Sequence, residues 1–316
     1  MATSGSINFT STLRDIIKDA LLELNVCSPD ETPHSNDEQF AARTLNRMIK
    51  AWQVKSINIW KTKTATIFFQ NAQSEYEIYS TSSDHVTEDY VETTVGADEA
   101  LGQTIITVTS SSGMTVNDYV GIEQDNGYLH WSTISNVTNP TTIVINDALT
   151  YASSADNKVY AYTTKLEEPF LIYSMAREAE SQIDTPMNYL SYEEYFQLPN
   201  KVSVGTPVSY NYDRQLGKAL IKLWPIPNDV DYVGKITFAK RIEDFDANNN
   251  TPDFPQEWHE ALILNLSARM AHAFGKDKGA SYMSLKQDAQ EALSNMLSFD
   301  NEESSIYFQP DTYGRG

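Results

Sequence analysis

Apolar residues recur with a helical period near both ends of this chain and with a strand period between them, an order that few folds accommodate. Leu13, Ile16, Ile17, Ala20, Leu21 and Leu24 trace one face of an amphipathic helix, with Thr10, Ser11 and Thr12 before it as candidate caps. After a loop carrying Pro29 and Pro33, Ser35 and Glu38 stand at capping-box spacing, and Ala41, Leu45, Met48, Ile49 and Trp52 mark a second apolar stripe. Two such helices on a short loop predict a helical hairpin. From Thr62 the period drops to two. Thr64, Thr66 and Phe68 alternate with Ala65, Ile67 and Phe69, and residues 76–79 are expected to fold back on that strand as a hairpin.

The stretch 88–163 reads as short strands without a helix, at residues 104–109, 119–123, 128–134, 141–145 and 159–162, each bounded by Ser, Gly, Asn or Asp. Asp125, Asn126 and Gly127 give a tight-hairpin signal, because asparagine and glycine tolerate positive φ. An inserted β-sandwich or barrel is the expectation. Beyond Pro169, residues 170–176 predict a strand and residues 191–196 a short helix capped by Ser191, with Glu194 three positions on. Residues 208–212 and 219–224 predict a hairpin about the polar turn 213–218, with residues 233–240 as its third strand. In LIKLWPIPND, residues 220–229, Trp224 precedes Pro225 and Pro227, which lack the amide that a ladder needs. Trp224 is therefore expected to stop a strand and to lay its indole over the open end of the core.

Asp253, Phe254 and Pro255 open a helix carrying Trp258, Ala261, Leu262, Asn265, Leu266, Arg269 and Ala273, stopped at Gly275. Tyr282, Leu285, Ala289, Leu293 and Met296 lie on a last one. The fold class these patterns predict is α+β: a helical bundle body of two N-terminal and two C-terminal helices, an antiparallel β region and an inserted all-β module. The expected domains are a discontinuous body of residues 1–87 and 164–298, an acidic module of residues 88–163, and an extended tail of residues 299–316.

At 316 residues the chain can bury a sizeable core. Its 23 Lys and Arg against 43 Asp and Glu leave a net charge of −20, which argues against the whole chain coating nucleic acid or adhering to anionic membranes. The charge is uneven. Residues 88–163 hold ten carboxylates against Lys158 alone, whereas residues 39–63 hold Arg43, Arg47, Lys50, Lys55, Lys61 and Lys63 and no carboxylate. Such opposed blocks mark either different neighbours or two solvated faces. One cysteine, Cys27, rules out an internal disulfide framework and suits a reducing compartment of synthesis. No apolar run approaches membrane-spanning length, and the opening MATSGSINFT does not read as a signal peptide.

Catalytic patterns are weak. The five histidines (His34, His85, His130, His259 and His272) are scattered, and His259-Glu260 lacks the second histidine of a zinc-protease helix. No glycine-rich phosphate loop is present; Gly102, Gly113 and Gly121 read as turn residues between strands. The acidic pairs Glu167-Glu168, Glu193-Glu194 and Glu302-Glu303 point adjacent side chains apart, whereas a glycosidase needs two carboxylates facing across a cleft. No enzyme, cofactor or metal is expected. Two signals remain. Arg43, Arg47 and Lys50 form a basic stripe on the second helix, at spacings of four and three. The tail carries Ile306, Tyr307, Phe308 and Tyr313 in a segment too polar to fold alone, either a frayed terminus or anchors for a partner's groove.

Several segments, in order, resemble the head-to-tail adaptor proteins of short-tailed double-stranded DNA phages, also called tail accessory factors or packaged-DNA stabilisation proteins. They are ALLELNVCSPDETPHSNDEQFAARTLNRMIKAWQVKSINIW, TATIFFQNAQSEYEI, YLSYEEYFQLPNKVSVGTPVSYNYDRQ, LIKLWPIPND and DFPQEWHEALILNLSARMA. They cover most of the chain outside residues 88–163. The resemblance implies a non-enzymatic protein of the virion, made in the bacterial cytoplasm, that forms a typically dodecameric ring below the portal. Such a ring continues the channel through which packaged DNA passes, helps retain that DNA and offers a platform to tail nozzle or fibre proteins; no membrane is involved. It also implies that the C-terminal segment docks on the portal protein, which makes Ile306, Tyr307, Phe308 and Tyr313 the expected anchors. Arg43, Arg47 and Lys50 would then face a neighbouring copy, the portal or DNA. The module of residues 88–163 departs from smaller members of the family and reads as a decoration on the ring's outside. Sugar binding through Tyr128, Trp131 and Tyr160 is the rival to a core role for those rings. A wall-degrading or carbohydrate-binding tail protein is the alternative for the whole chain.

Overall fold

The structure, a computed structural model, describes residues 5–6, 9–54, 59–79, 84–179 and 183–299. The chain is α+β and rich in strand. In chain order, α1 (Leu13–Glu23) and α2 (Ser35–Gln53) precede β1 (Thr62–Phe68), β2 (Glu75–Ile78) and β3 (Val86–Thr87). Next come β4 (Val91–Thr94), β5 (Ile105–Thr107), β6 (Tyr119–Glu123), β7 (Leu129–Asn139), β8 (Thr142–Ile145) and β9 (Lys158–Tyr162). They are followed by β10 (Leu171–Glu178), β11 (Asp184–Pro186), β12 (Asn188–Tyr189), α3 (Tyr192–Gln197), β13 (Ser209–Gln215), β14 (Lys218–Trp224) and β15 (Val233–Ala239). The chain closes with α4 (His259–Met270) and α5 (Ala280–Phe299). Two compact units result, Met1–Trp60 with Ile242–Gly316, and Lys61–Arg241.

In the first unit α1, α2 and α4 enclose one apolar core of Leu13, Ile17, Leu21, Leu45, Met48, Leu262, Leu266 and Met270, with α5 laid against it. Thr12 caps α1: its hydroxyl accepts the Asp15 amide at 3.3 Å, and the Asp15 carboxylate takes the Thr12 amide at 2.9 Å. The capping box expected at Ser35 does not form. His34 is the cap residue, its carbonyl accepts the Asp37 and Glu38 amides, and the Glu38 carboxylate pairs with Arg14 at 3.3 Å instead of turning back on Ser35. Asn46 ties α2 to the segment after β15, donating to the Phe245 carbonyl at 2.8 Å and accepting the Phe245 amide at 3.0 Å. Asn265 donates to the Ala289 carbonyl and so ties α4 to α5.

The second unit holds all the strands of the described residues, and its pairing differs from the hairpins expected. β1 and β2 do not pair. β1 lies between β15 and β3 in a five-stranded sheet, β11-β10-β15-β1-β3, while β2 flanks β14 in a four-stranded sheet, β12-β13-β14-β2. β15 is likewise not a third strand of the β13–β14 hairpin; after Pro225 and Pro227 the chain crosses to the other sheet. The two sheets enclose a shared core. Ala65, Ile67 and Phe69 of β1 and its extension meet Ile221 and Leu223 of β14, and Tyr76, Tyr210, Ile236 and Phe238 fill in between. Alternation along each strand dictates this, since Leu220 and Lys222 take the other face of β14. The β13–β14 turn is tighter than residues 213–218: the strands run to Gln215 and from Lys218, with Gly217 at φ 88° completing the reversal. β14 stops at Trp224 as expected, but the indole is no lid. It donates from Nε1 to the Asn200 carbonyl at 2.8 Å and fastens the loop between α3 and β13.

A third sheet, β4-β9-β6-β7-β8-β5, is built from residues 91–162. Its edge strands meet: Gly96 donates to the Thr107 carbonyl and Thr109 to the Thr94 carbonyl, both at 2.8 Å, so the sheet closes into a small barrel. Val95, Ile106, Val120, Ile122, Ile134, Ile143 and Val159 fill it. The barrel's stems are adjacent, with the Thr87 hydroxyl on the Thr164 carbonyl at 2.8 Å and the Leu166 amide on the Val86 carbonyl at 2.7 Å. Phe68 points out of the five-stranded sheet into a ring cluster of Tyr90, Trp131, Tyr160 and Tyr162 that joins barrel to sandwich.

Candidate interaction surface

Helix α2 turns its apolar stripe inward and leaves Arg43, Arg47 and Lys50 exposed. Two ring contacts fix its direction against α4: Phe40 meets Phe274 and Trp52 meets Trp258, each with centroids 6.1 Å apart. The helices are therefore antiparallel, and Arg43 and Arg47 lie level with Arg269 in the last turn of α4. Burial, with the Arg47 cation nearby, holds the Arg269 guanidinium below its usual pKa, which agrees with that placement.

The basic stripe divides. Lys50 is held inside its own unit, on the Asp244 carboxylate at 2.7 Å and the Ile242 carbonyl at 2.7 Å. Arg43 and Arg47 place Nε on backbone carbonyls of α2, at Gln39 and Arg43, and Arg47 also reaches the Thr44 hydroxyl. Among the described residues, no carboxylate pairs with Arg43, Arg47 or Arg269. In the sequence Arg269 is only one member of a helical stripe; an antiparallel neighbour more than two hundred residues away in the chain leaves no local signal. The expected anchors Ile306, Tyr307, Phe308 and Tyr313 lie outside the described residues.

The rings of the barrel do not form a sugar platform. Tyr160 is buried, Trp131 stacks on the His85 imidazole with centroids 3.6 Å apart, and Tyr128 stands apart at the exposed hairpin tip. His85 also shares a 2.6 Å hydrogen bond with the Tyr162 hydroxyl, and burial, reinforced by the Lys165 cation, pushes its pKa down to about 3. A different aromatic group is exposed. Tyr189 lies on β12 against Tyr210, while Tyr192 and Phe196 of α3 lie over a Lys222 ammonium that is itself only 8% exposed and sits 3.4 Å from Asp213. Tyr192 and Phe196, four positions apart in YEEYF, share one face of that short helix.

The carboxylate pairs have local duties: Glu168 pairs with Arg241, Glu194 completes the Ser191 capping box, and Glu193 accepts from Gln197. Glu302 and Glu303 lie outside the described residues. Among the described residues, no three His, Cys, Asp or Glu side chains are grouped to hold a metal ion, and no helix is long and apolar enough to cross a membrane.

A family model described as SU10 adaptor protein matches residues 138–311, more than half of the chain. The chain belongs to the SU10 adaptor protein family. The SU10 adaptor match begins in the last residues of β7, runs through β8 and β9, the strands β10 to β15 and helices α3 to α5, and extends to residue 311. It takes in Arg269, Ile306, Tyr307 and Phe308, and leaves out Arg43, Arg47, Lys50 and Tyr313. The N-terminal helical pair, among the segments behind the resemblance, is thus outside it. No curated protein matches the chain. VP17, a capsid protein of bacteriophage P23-77, is a solved structure with 9% identity over 60% of this chain and 77% of its own; at a TM-score of 0.12 the likeness carries no argument.

Proposed function

We propose that this SU10-family chain is a structural, non-catalytic adaptor of a phage virion. It assembles from copies of itself as a ring, dodecameric as in short-tailed phages, below the portal; the ring continues the DNA channel, helps retain packaged DNA and seats tail components. The observation that carries the reading is the family match, which continues past α5 to residue 311 and so treats the tail as part of the shared protein. In this reading residues 299–316 dock on the portal through Ile306, Tyr307, Phe308 and Tyr313. The closed barrel of residues 91–162 serves as the outward platform for a nozzle or fibre protein. The net charge of −20 suits a channel wall that repels phosphate and lets duplex DNA slide.

Electron microscopy of the full-length protein mixed with the portal of its phage tests this. Rings at the base of the portal are expected for the intact chain, and their loss when residues 300–316 are deleted. A protein that stays dispersed beside intact portals overturns the adaptor reading.

A further inference from the structure

The first unit carries charge of opposite sign on different flanks. Arg43, Arg47 and Arg269 form one side, at the α2–α4 seam. On α1, Asp15, Asp19 and Glu23 recur every fourth residue. At about 100° per residue, Asp19 and Glu23 fall on the flank opposite Arg14. Arg14 is the residue that reaches α2, through Glu38. The acidic flank therefore faces away from α2. Asp15 is occupied by the Thr12 capping box, whereas Asp19 and Glu23 have no ion-pair partner among the described residues. Burial and the neighbouring Asp15 hold the Asp19 carboxyl above its usual pKa, outweighing the opposing pull of the Lys18 cation.

We propose that the Arg43, Arg47 and Arg269 patch seats the Asp19 and Glu23 flank of α1 in a second copy of this chain, a head-to-tail contact that repeats around the ring. The inference rests on the ring reading above and specifies its interface. A contact between two different patches closes into a ring when its rotation permits, unlike the self-complementary patch of a two-fold dimer. Guanidinium suits it, since its planar fork grips a carboxylate through two parallel hydrogen bonds. Duplex DNA fits the patch less well: three arginines on a chain of net charge −20 offer little to a polyanion with a charge every ~1.7 Å, whereas another copy brings the two carboxylates of Asp19 and Glu23 on one short flank.

Charge reversal in the full chain tests the contact. The variants are R43E/R47E/R269E, D19K/E23K and the chain carrying all five changes, each checked for an unchanged thermal midpoint and scored for rings on the portal. Each partial reversal is expected to lower ring yield about tenfold or more through like-charge opposition, and the fivefold variant to restore it to within about threefold of wild type. Mixing the two partially reversed chains is expected to restore rings as well, because every interface then meets opposite charges. Wild-type rings with both partial variants assembling normally overturn the contact alone. Partial variants that fail while neither the fivefold chain nor the mixture recovers also overturn it. Rings unaffected by R43E/R47E/R269E, together with loss of binding to a short DNA duplex, assign the patch to DNA instead. Absence of rings for the wild type overturns the adaptor reading itself.

Discussion

Two single side chains show how much of each unit hangs on polar groups placed far apart in the chain. Asn46 satisfies both backbone groups of Phe245 across 199 positions, and Gln70 does the same for Leu129, joining sandwich to barrel with both hydrogen bonds at 2.9 Å. Replacing Asn46 by Ala strands a part-buried amide and carbonyl together, at a cost of about 2–4 kcal/mol. Urea denaturation of Asn46→Ala should show the midpoint falling at an unchanged slope. His85 makes a different prediction. An unfolded histidine takes its proton near 6.5, the folded one only at about 3, so the unfolded chain binds more protons between those values. The stabilisation is complete above pH 6.5 and drains as pH falls towards 3, on the order of 4 kcal/mol in all. His85→Phe keeps a ring on Trp131 without a titrating group. The gap in stability between wild type and variant should therefore shift in the variant's favour as urea midpoints are followed from about pH 7.5 to about pH 4.5.

At the scale of elements, the barrel of residues 91–162 meets the conditions for folding alone. It has its own apolar core, closed edges and stems that lie within hydrogen-bonding distance. Residues 88–163 expressed as a separate chain should give dispersed amide resonances and a cooperative melt; a spectrum of collapsed, unstructured shifts would show that the sandwich is needed to support it. Element type was legible in the sequence almost throughout, because periodicity and caps act locally: Thr12, Ser191 and the Asp125-Asn126-Gly127 turn are where the residues put them. Pairing was not legible. A strand's alternation says which face is apolar but not which neighbour takes its amides, so β1 and β2 looked like a hairpin although each pairs in a different sheet. β4 leaves no strand signature for a related reason: Val91 and three polar residues carry too little apolar signal to mark an edge strand.

At the scale of the whole molecule, the end-to-middle-to-end order of periods correctly announced an α+β chain. It overstated the helices, since the sheets of residues 61–241 supply most of the ordered backbone. The candidate surface was half legible. Two of its arginines stood out as a stripe on a carboxylate-free stretch, while Arg269 joined them only through antiparallel packing, and Lys50 left them by finding Asp244. Charge along a sequence thus located the region, and packing decided which cations remain without a carboxylate among the described residues.

The separation of β1 from β15 bears on how the chain is born. These strands pair along seven residues, yet about 170 positions lie between them. At a translation rate of roughly 5–20 residues per second, β1 leaves the ribosome on the order of ten seconds before its partner exists. Ile67 and Phe69 wait uncovered for that interval while the intervening barrel has time to close, so the nascent chain completes its inserted part before the part into which it is inserted.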